Sequence, residues 1–358
     1  MKTRAAVFYG PGRPFEVREL DLDDPRPGEV VVRMAAVGIC GTDLHSVRGE
    51  WSRPTPSVLG HEGAGVVEAV GEDVSAVAVG DRVVLSWAPS CGECADCRRG
   101  RPAACVPLHR AIAAGTLVDG TTGMSLDGQT VYRGTATGAL TERLVVTEKV
   151  ALPLRVDVPF EQAALLGCAA LTGVGAVLFA ARVAAGSTVY VVGAGGVGQF
   201  AVQGARIAGA SEIVCVDPVQ DRIDHARSLG ATRVGHPEEI DMDDGADYAF
   251  DCVGAPETTR LALRWTRSGG VCVVVGLPAA GARLDLDPGE FNRREKWLTG
   301  TMYGSEDPAV ALPVLVDHVR AGRLELRSMI GPSFPLDRID EAIEAALGGS
   351  PGRVLVTP

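Results

Sequence analysis

The stretch Thr188–Gly209, TVYVVGAGGVGQFAVQGARIAG, passes from a β-branched run through a glycine-rich turn into apolar residues at helical spacing. Its centre, GAGGVG, fits G-x-G-x-x-G with Gly193, Gly195 and Gly198 as the fixed positions and Gly196 and Val197 between them. The motif alone says little, because glycine turns are common and serve packing elsewhere. Its context is more specific. A strand precedes it, a helix follows it, and Asp217 ends the next apolar run, EIVCVD, at the ~20-residue spacing that dinucleotide-binding units show. In that reading Gly193 permits the tight turn and Gly195 lets the backbone approach a pyrophosphate. Gly198 lets helix and strand pack closely, and the unpaired N–H groups of the helix start face the phosphates. Asp217 would accept hydrogen bonds from the adenosine ribose and repel a 2′-phosphate, which favours NAD over NADP.

The pattern continues downstream. After EIVCVD come a polar helical segment near Gln220–Leu229, the run DYAFDCVG, a helical segment around Glu257–Trp265 and the run VCVVVGLP. Apolar strands separated by helices imply parallel βαβ units with helices on both faces of one sheet. The first third has a different texture: KTRAAVFY, FEVRELDL, EVVVRMAAVGI, GAGVVEAV and DRVVL alternate with glycine and proline, as in a mainly antiparallel unit. At 358 residues the chain exceeds the roughly 250–300 at which single cores divide. We therefore expect a doubly wound domain over residues 170–301, inserted into a β-rich domain formed by residues 1–169 and 302–358.

The composition, 46% hydrophobic and 22% charged, is that of a folded protein. A net charge of −11 argues against nucleic-acid and anionic-membrane partners, both of which need a positive field. A small-molecule substrate fits better. The start, MKTRAAVFYGPGRPFEV, turns polar too early for a secretion signal, so a cytoplasmic location is expected. The uncharged run Ala163–Ala181 is long enough to span a bilayer, but its Ala and Gly content reads as a buried helix.

Four of the nine cysteines, Cys91, Cys94, Cys97 and Cys105, form C-x2-C-x2-C-x7-C. Such spacing lets one loop wrap four thiolates around a tetrahedral Zn²⁺ with no open position, the arrangement of a structural site. An iron–sulfur cluster shares the first spacings but not the fourth, and no proline follows Cys105. Other reactive residues lie apart: Cys40, Thr42, Asp43 and His45 in GICGTDLH, His61 and Glu62 in GHEGAG, and Cys168 in LLGCAAL. Taken singly, a cysteine in an apolar run is core more often than ligand. Cys215, Cys252 and Cys272, inside strand runs, keep that reading.

Together, GICGTDLH, GHEGAG, the four-cysteine loop, LGCAALTG, GAGGVG and FDCVG occur in an order and spacing that resemble the zinc-dependent medium-chain alcohol dehydrogenases. The resemblance covers nearly the whole chain. It implies an α/β protein with a GroES-like, mainly antiparallel catalytic domain and a Rossmann coenzyme domain. It further implies a catalytic zinc held by Cys40, His61 and Cys168, with Glu62 near enough to ligate transiently. Two thiolates and a neutral imidazole cancel the charge of Zn²⁺ and leave one position open, as a catalytic site requires. Thr42 would start a proton relay that passes the nicotinamide ribose and ends at His45, and Asp43 would hydrogen-bond the far nitrogen of His61. On the coenzyme side the resemblance assigns Thr172, Val275 and Leu277 to the nicotinamide end, Arg222 to the ribose beside Asp217, and Arg353 to the pyrophosphate, with Cys252 and Val253 as further cofactor contacts.

Three departures bear on specificity. Gly41 stands where many animal members carry Arg or His against the pyrophosphate. Trp51 replaces an acidic residue by which glutathione-dependent formaldehyde dehydrogenases grip their thiol adduct. With Trp87 and Leu277 it implies a narrow, aromatic channel suited to hydrophobic primary, benzylic or allylic alcohols. The length between Cys105 and Cys168 resembles dimeric members, so a homodimer is expected. Two other functions fit the fold: reduction of an activated double bond in a natural-product pathway, and non-catalytic dinucleotide sensing. Neither explains an intact set of Cys40, Thr42, His61 and Cys168.

Overall fold

Apolar runs flanked by helices build the sheet that the glycine motif belongs to. The computed structural model describes residues 1–350 and 352–358, which fall into two units. One comprises Met1–Cys168, Asp307–Val316 and Leu326–Pro358; the other comprises Ala169–Glu306 and Asp317–Glu325. The second unit thus takes back Asp317–Glu325, a short return within the stretch 302–358 that the sequence reading places wholly in the β-rich domain.

In the second unit six strands form one parallel sheet. Their order is Arg233–Gly235, Glu212–Val216, Thr188–Val192, Ala246–Asp251, Thr266–Val274 and Trp297–Gly300. Numbered along the chain this is 3-2-1-4-5-6, the doubly wound order, with its switch point between Thr188–Val192 and Ala246–Asp251. Covered on both faces, Val189, Tyr190 and Val191 are fully buried, so the strand has no polar alternation. The glycine motif turns from it into the helix Gly196–Ala208. Gly193 has φ 91°, and a Cβ on Gly198 would lie 1.7 Å from the Gly193 carbonyl oxygen, so both positions need glycine. A Cβ on Gly195 would meet nothing within 4 Å, which leaves the backbone open on that side.

The fully buried Asp251 organises the next turn. Its Oδ1 accepts from the Val253 and Gly254 amides at 3.0 Å, and its Oδ2 accepts from the Thr259 hydroxyl at 2.6 Å.

The first unit holds two sheets. One runs Gln129–Thr130, Met124–Leu126, Glu16–Leu22, Lys2–Phe8, Ser57–Val58, Tyr132–Arg133. The other is organised around the long strand Glu29–Gly38, which pairs antiparallel with Glu62–Val70, Arg143–Thr147 and Arg353–Thr357. Val30, Val31, Val32, Val37, Leu144, Val146 and Val356 pack together there, all but fully buried. This places the N-terminal ends of Glu62–Val70 and Arg353–Thr357 beside the exit of Glu29–Gly38, where Cys40 follows.

One expectation is corrected. The run Ala163–Ala181 is not a single buried helix but Phe160–Leu166, then Ala169–Gly175, then a turn of π-helix over Ala176–Ala180. The break falls at Gly167–Cys168, where a Cβ on Gly167 would come within 2.6 Å of the Leu85 carbonyl. Among the described residues no single helix is long and apolar enough to cross a membrane.

Gly198→Ala is expected to cost about 1–3 kcal/mol of stability through overpacking against the Gly193 carbonyl. The measurement is the urea midpoint at constant slope; an unaltered midpoint would show that the turn yields without strain.

Candidate active site

Cys40 sits at the N-cap of a short helix, Gly41–Val47, so its sulfur leaves the chain just where the strand Glu29–Gly38 has ended. Asp43, at the third helical position, accepts the Cys40 amide at 3.0 Å through Oδ2 and the Gly60 amide at 3.0 Å through Oδ1. One carboxylate thereby ties the turn that carries Cys40 to the turn that carries His61. Its Oδ1 lies 3.6 Å from His61 Nδ1, longer than the hydrogen bond expected there. Both carboxylate oxygens are already used by backbone amides.

The other face of His61 meets the cysteines. Cys168 Sγ is 3.4 Å from His61 Nε2 and 4.0 Å from Cys40 Sγ, and all three residues are buried. Two sulfurs bound to one zinc at ~2.3 Å stand ~3.8 Å apart at the tetrahedral angle, so the donor spacing suits that ion. The electrostatics agree. The Cys168 thiol's hydrogen bond and the charge of His61 hold Cys40 well below the usual thiol range, whereas Cys40 and burial push Cys168 well above it. Burial opposes a charged His61, but Asp43 and Cys40 outweigh it and raise its pKa to about 10. Three donors competing for protons in a dry site are what a divalent cation relieves.

Glu62 and Arg353 close the site from behind. A Cβ on Gly38 would fall 2.4 Å from Glu62 Oε1, so the absence of a side chain at Gly38 admits that carboxylate. Glu62 is fully buried, and Arg353 Nε stands 2.8 Å from its Oε1 while Nη1 donates to the Ile39 carbonyl at 3.1 Å. Burial disfavours the guanidinium charge, but Glu62 and the two thiols outweigh it and raise the pKa. The sequence reading did not foresee this pair. Arg353, assigned by resemblance to a pyrophosphate, keeps Nη2 buried with no hydrogen-bond partner among the described residues.

Two indoles attend the two histidines. Trp51 stacks on His45 at 4.5 Å between ring centroids and 14° between planes, and Trp87 meets His61 edge-on at 6.2 Å and 79°. Thr42 Oγ1 lies 3.7 Å from Cys40 Sγ. His45 Nδ1 is paired with the Glu50 carboxylate, a contact with no signature in the sequence.

The second donor cluster is the four-cysteine loop. Cys91 and Cys94 approach Cys97 at 3.9 and 3.5 Å, and the Cys105 sulfur accepts the Cys91 amide at 3.3 Å. The Cys97 amide draws the Cys94 thiol down to about 6, while burial and Cys94 push Cys97 up to about 12. Again the thiols share too few protons.

In the coenzyme unit Asp217 is buried. Its Oδ2 accepts the Ala194 amide at 2.8 Å and its Oδ1 the Val219 amide at 2.9 Å, with Arg222 Nη1 3.9 Å away. Asp217 therefore braces the glycine turn as well as marking the strand end. Val253 and Leu277 are exposed apolar side chains, Val275 is buried, and Cys252 and Thr172 are half-buried. Sequence reasoning missed two supports, Asp251 and Gln199, whose Nε2 donates to the Ala194 carbonyl at 2.9 Å. An acid closing the apolar run DYAFD was the available signal for the first.

Residues 26–156 match the alcohol dehydrogenase GroES-like domain, and residues 196–317 match the zinc-binding dehydrogenase domain. The chain belongs to the zinc-dependent medium-chain alcohol dehydrogenases. Members similar to it include alcohol dehydrogenase 6 of Peromyscus maniculatus, 34% identical over 100% of this chain and 98% of the relative. An S-(hydroxymethyl)glutathione dehydrogenase of Photobacterium damsela subsp. piscicida is also 34% identical, over 99% of this chain and 100% of its own. Among solved structures, benzyl alcohol dehydrogenase from Acinetobacter calcoaceticus superposes with TM-score 0.93 at 31% identity, covering 100% of this chain and 99% of that one. Like other zinc alcohol dehydrogenases, this protein is an NAD-dependent oxidoreductase, and its two cysteine-containing clusters suit one catalytic and one structural zinc.

The purified enzyme should carry about two zinc ions per chain. Cys97→Ser and Cys168→Ser should each leave about one, but only Cys97→Ser should open the 91–105 loop to protease. Two ions retained by either variant would break the assignment of that cluster.

Proposed function

We propose that this dehydrogenase oxidises hydrophobic primary alcohols of the benzylic or allylic kind to aldehydes, reversibly. The observation that carries this reading is the pairing of Trp51 with His45 and Trp87 with His61, which puts an indole beside each histidine of the reaction centre. Aromatic walls favour flat substrates and disfavour a charged, branched tripeptide adduct. The likeness to a benzyl alcohol dehydrogenase supports the same class.

Cys40, His61 and Cys168 would hold the catalytic zinc. That ion supplies Lewis acidity, lowering the pKa of a coordinated hydroxyl toward neutrality. Gly193, Gly195 and Gly198 at the glycine motif, with Asp217 and Arg222 at the ribose, would hold NAD, which would supply the hydride acceptor. The chain's own residues handle the proton and the geometry. Thr42 Oγ1 accepts the alcohol proton as it gives up its own hydroxyl proton through the relay toward His45, which delivers a proton to water from a side chain that is 19% exposed. Asp43 keeps Cys40 and His61 in register, and the Glu62–Arg353 pair holds a counter-charge behind the thiolates. Leu277 and Val253 give the nicotinamide an apolar surface. The arrangement also supports a homodimer formed across the edge strand Trp297–Gly300, since Trp297 is 69% exposed. None of the nine cysteines forms a disulfide, which suits the reducing cytoplasm.

In a panel following NADH absorbance, kcat/KM for benzyl or cinnamyl alcohol should exceed that for ethanol by roughly tenfold or more. A preference for ethanol or for S-(hydroxymethyl)glutathione would refute the aromatic channel. Asp217→Asn keeps an acceptor for the turn but removes the charge, and should raise the NADP to NAD ratio of kcat/KM by roughly tenfold. An unchanged ratio would mean that another residue reads the ribose.

A further inference from the structure

We propose that Glu50 is a positioning residue that sets the tautomer of His45 and carries its outer proton to solvent. The inference rests on His45 as the proton exit of the dehydrogenase proposed above. The Glu50 carboxylate meets His45 Nδ1, and Trp51 stacks flat on the same ring. The stack fixes the plane of the imidazole and the carboxylate fixes its rotation within that plane.

The backbone shows that this is not an accident of a mobile side chain. The Glu50 and Trp51 amides both donate to the His45 carbonyl, at 2.9 and 3.3 Å, closing the end of the helix Gly41–Val47. Residues 50 and 51 are thus latched against His45 without help from their side chains. The carboxylate on Nδ1 is an additional contact, and it has a chemical consequence. An ionised carboxylate only accepts, so the neutral imidazole must carry its hydrogen on Nδ1 and present a lone pair on Nε2. That is the form that can receive a proton from the substrate side.

The proton balance then closes. A proton arrives at Nε2 and forms the imidazolium, whose Nδ1–H faces the Glu50 carboxylate. The Nδ1 proton leaves along Glu50, whose side chain is 31% exposed, to water. Between turnovers Glu50 returns a proton from water to Nδ1 and Nε2 releases its own to water in the emptied site, which restores the starting tautomer. Two protons have left and one has entered, so one has crossed, and no electrons have moved. The arrangement parallels the general use of a carboxylate to orient a catalytic histidine, where loss of the charge leaves the geometry and spoils the tautomer.

The test uses the zinc-loaded enzyme and its Glu50→Gln, Glu50→Asp and His45→Gln variants. Glu50→Gln is isosteric and leaves the backbone latch intact, and unchanged zinc content and thermal midpoint would verify that it folds. Its kcat for alcohol oxidation should fall roughly tenfold to a hundredfold with KM changed less than about twofold, and Glu50→Asp should recover part of the loss. Two-bond 15N–1H correlation spectra of His45 should show Nδ1 protonated in the wild type and a mixture of tautomers in Glu50→Gln. If His45→Gln is slow but Glu50→Gln keeps wild-type kcat, or keeps the Nδ1–H form alone, the Glu50 role is overturned while the exit stands. If His45→Gln turns over like the wild type, the exit itself is wrong and Glu50 has no proton to carry.

Discussion

The Asp43 carboxylate is the tie on which the reaction centre depends. It is buried, and its two oxygens accept amides from two different turns, those of Cys40 and Gly60. Each bond is charge-assisted in a dry setting, so either amide left unpaired would cost about 1–3 kcal/mol. The tie also decides geometry, because Cys40 follows one strand and His61 precedes another. Antiparallel pairing of Gly38 with Glu62 brings those ends near each other, and Asp43 turns nearness into a fixed separation. Cys168 then arrives from the break after Gly167, outside any helix, free to aim its sulfur at the same point.

A second constraint is charge. Asp43, Glu62 and two thiolates crowd a region closed to water, and such an accumulation is unfavourable unless it is matched. Arg353 and a divalent cation supply the match. This explains why an arginine is buried here, why it faces Glu62, and why Gly38 lacks the side chain that would have displaced the carboxylate. Removing one partner of the Glu62–Arg353 pair would therefore disturb the thiols as well as the pair.

What could be read from the chain follows from distance along it. The glycine motif, Asp217 and the four-cysteine loop are local patterns with a physical reason for each spacing, and the structure shows the parallel sheet and the convergent sulfurs they imply. Cys40, His61 and Cys168 have no such spacing; they were grouped by resemblance, and only the pairing of strands brings them together. The Glu62–Arg353 and His45–Glu50 contacts escaped notice for two reasons. The first joins residues that topology alone makes neighbours, and the second depends on the side chain at position 50 folding back onto a helix it has just left. The uncharged run at 163–181 misled because composition shows that a segment is buried but not where a glycine must meet a carbonyl.

Arg353 and Ile39 touch although 314 positions separate them, and the strand beginning at Arg353 pairs back onto Gly38. During synthesis, therefore, Cys40 emerges long before its guanidinium neighbour, which the ribosome adds more than three hundred positions later. The buried charge balance around Cys40 is therefore completed only when the strand beginning at Arg353 has paired with Gly38 and Val37, so assembly of this corner waits on residues made near the end of the chain.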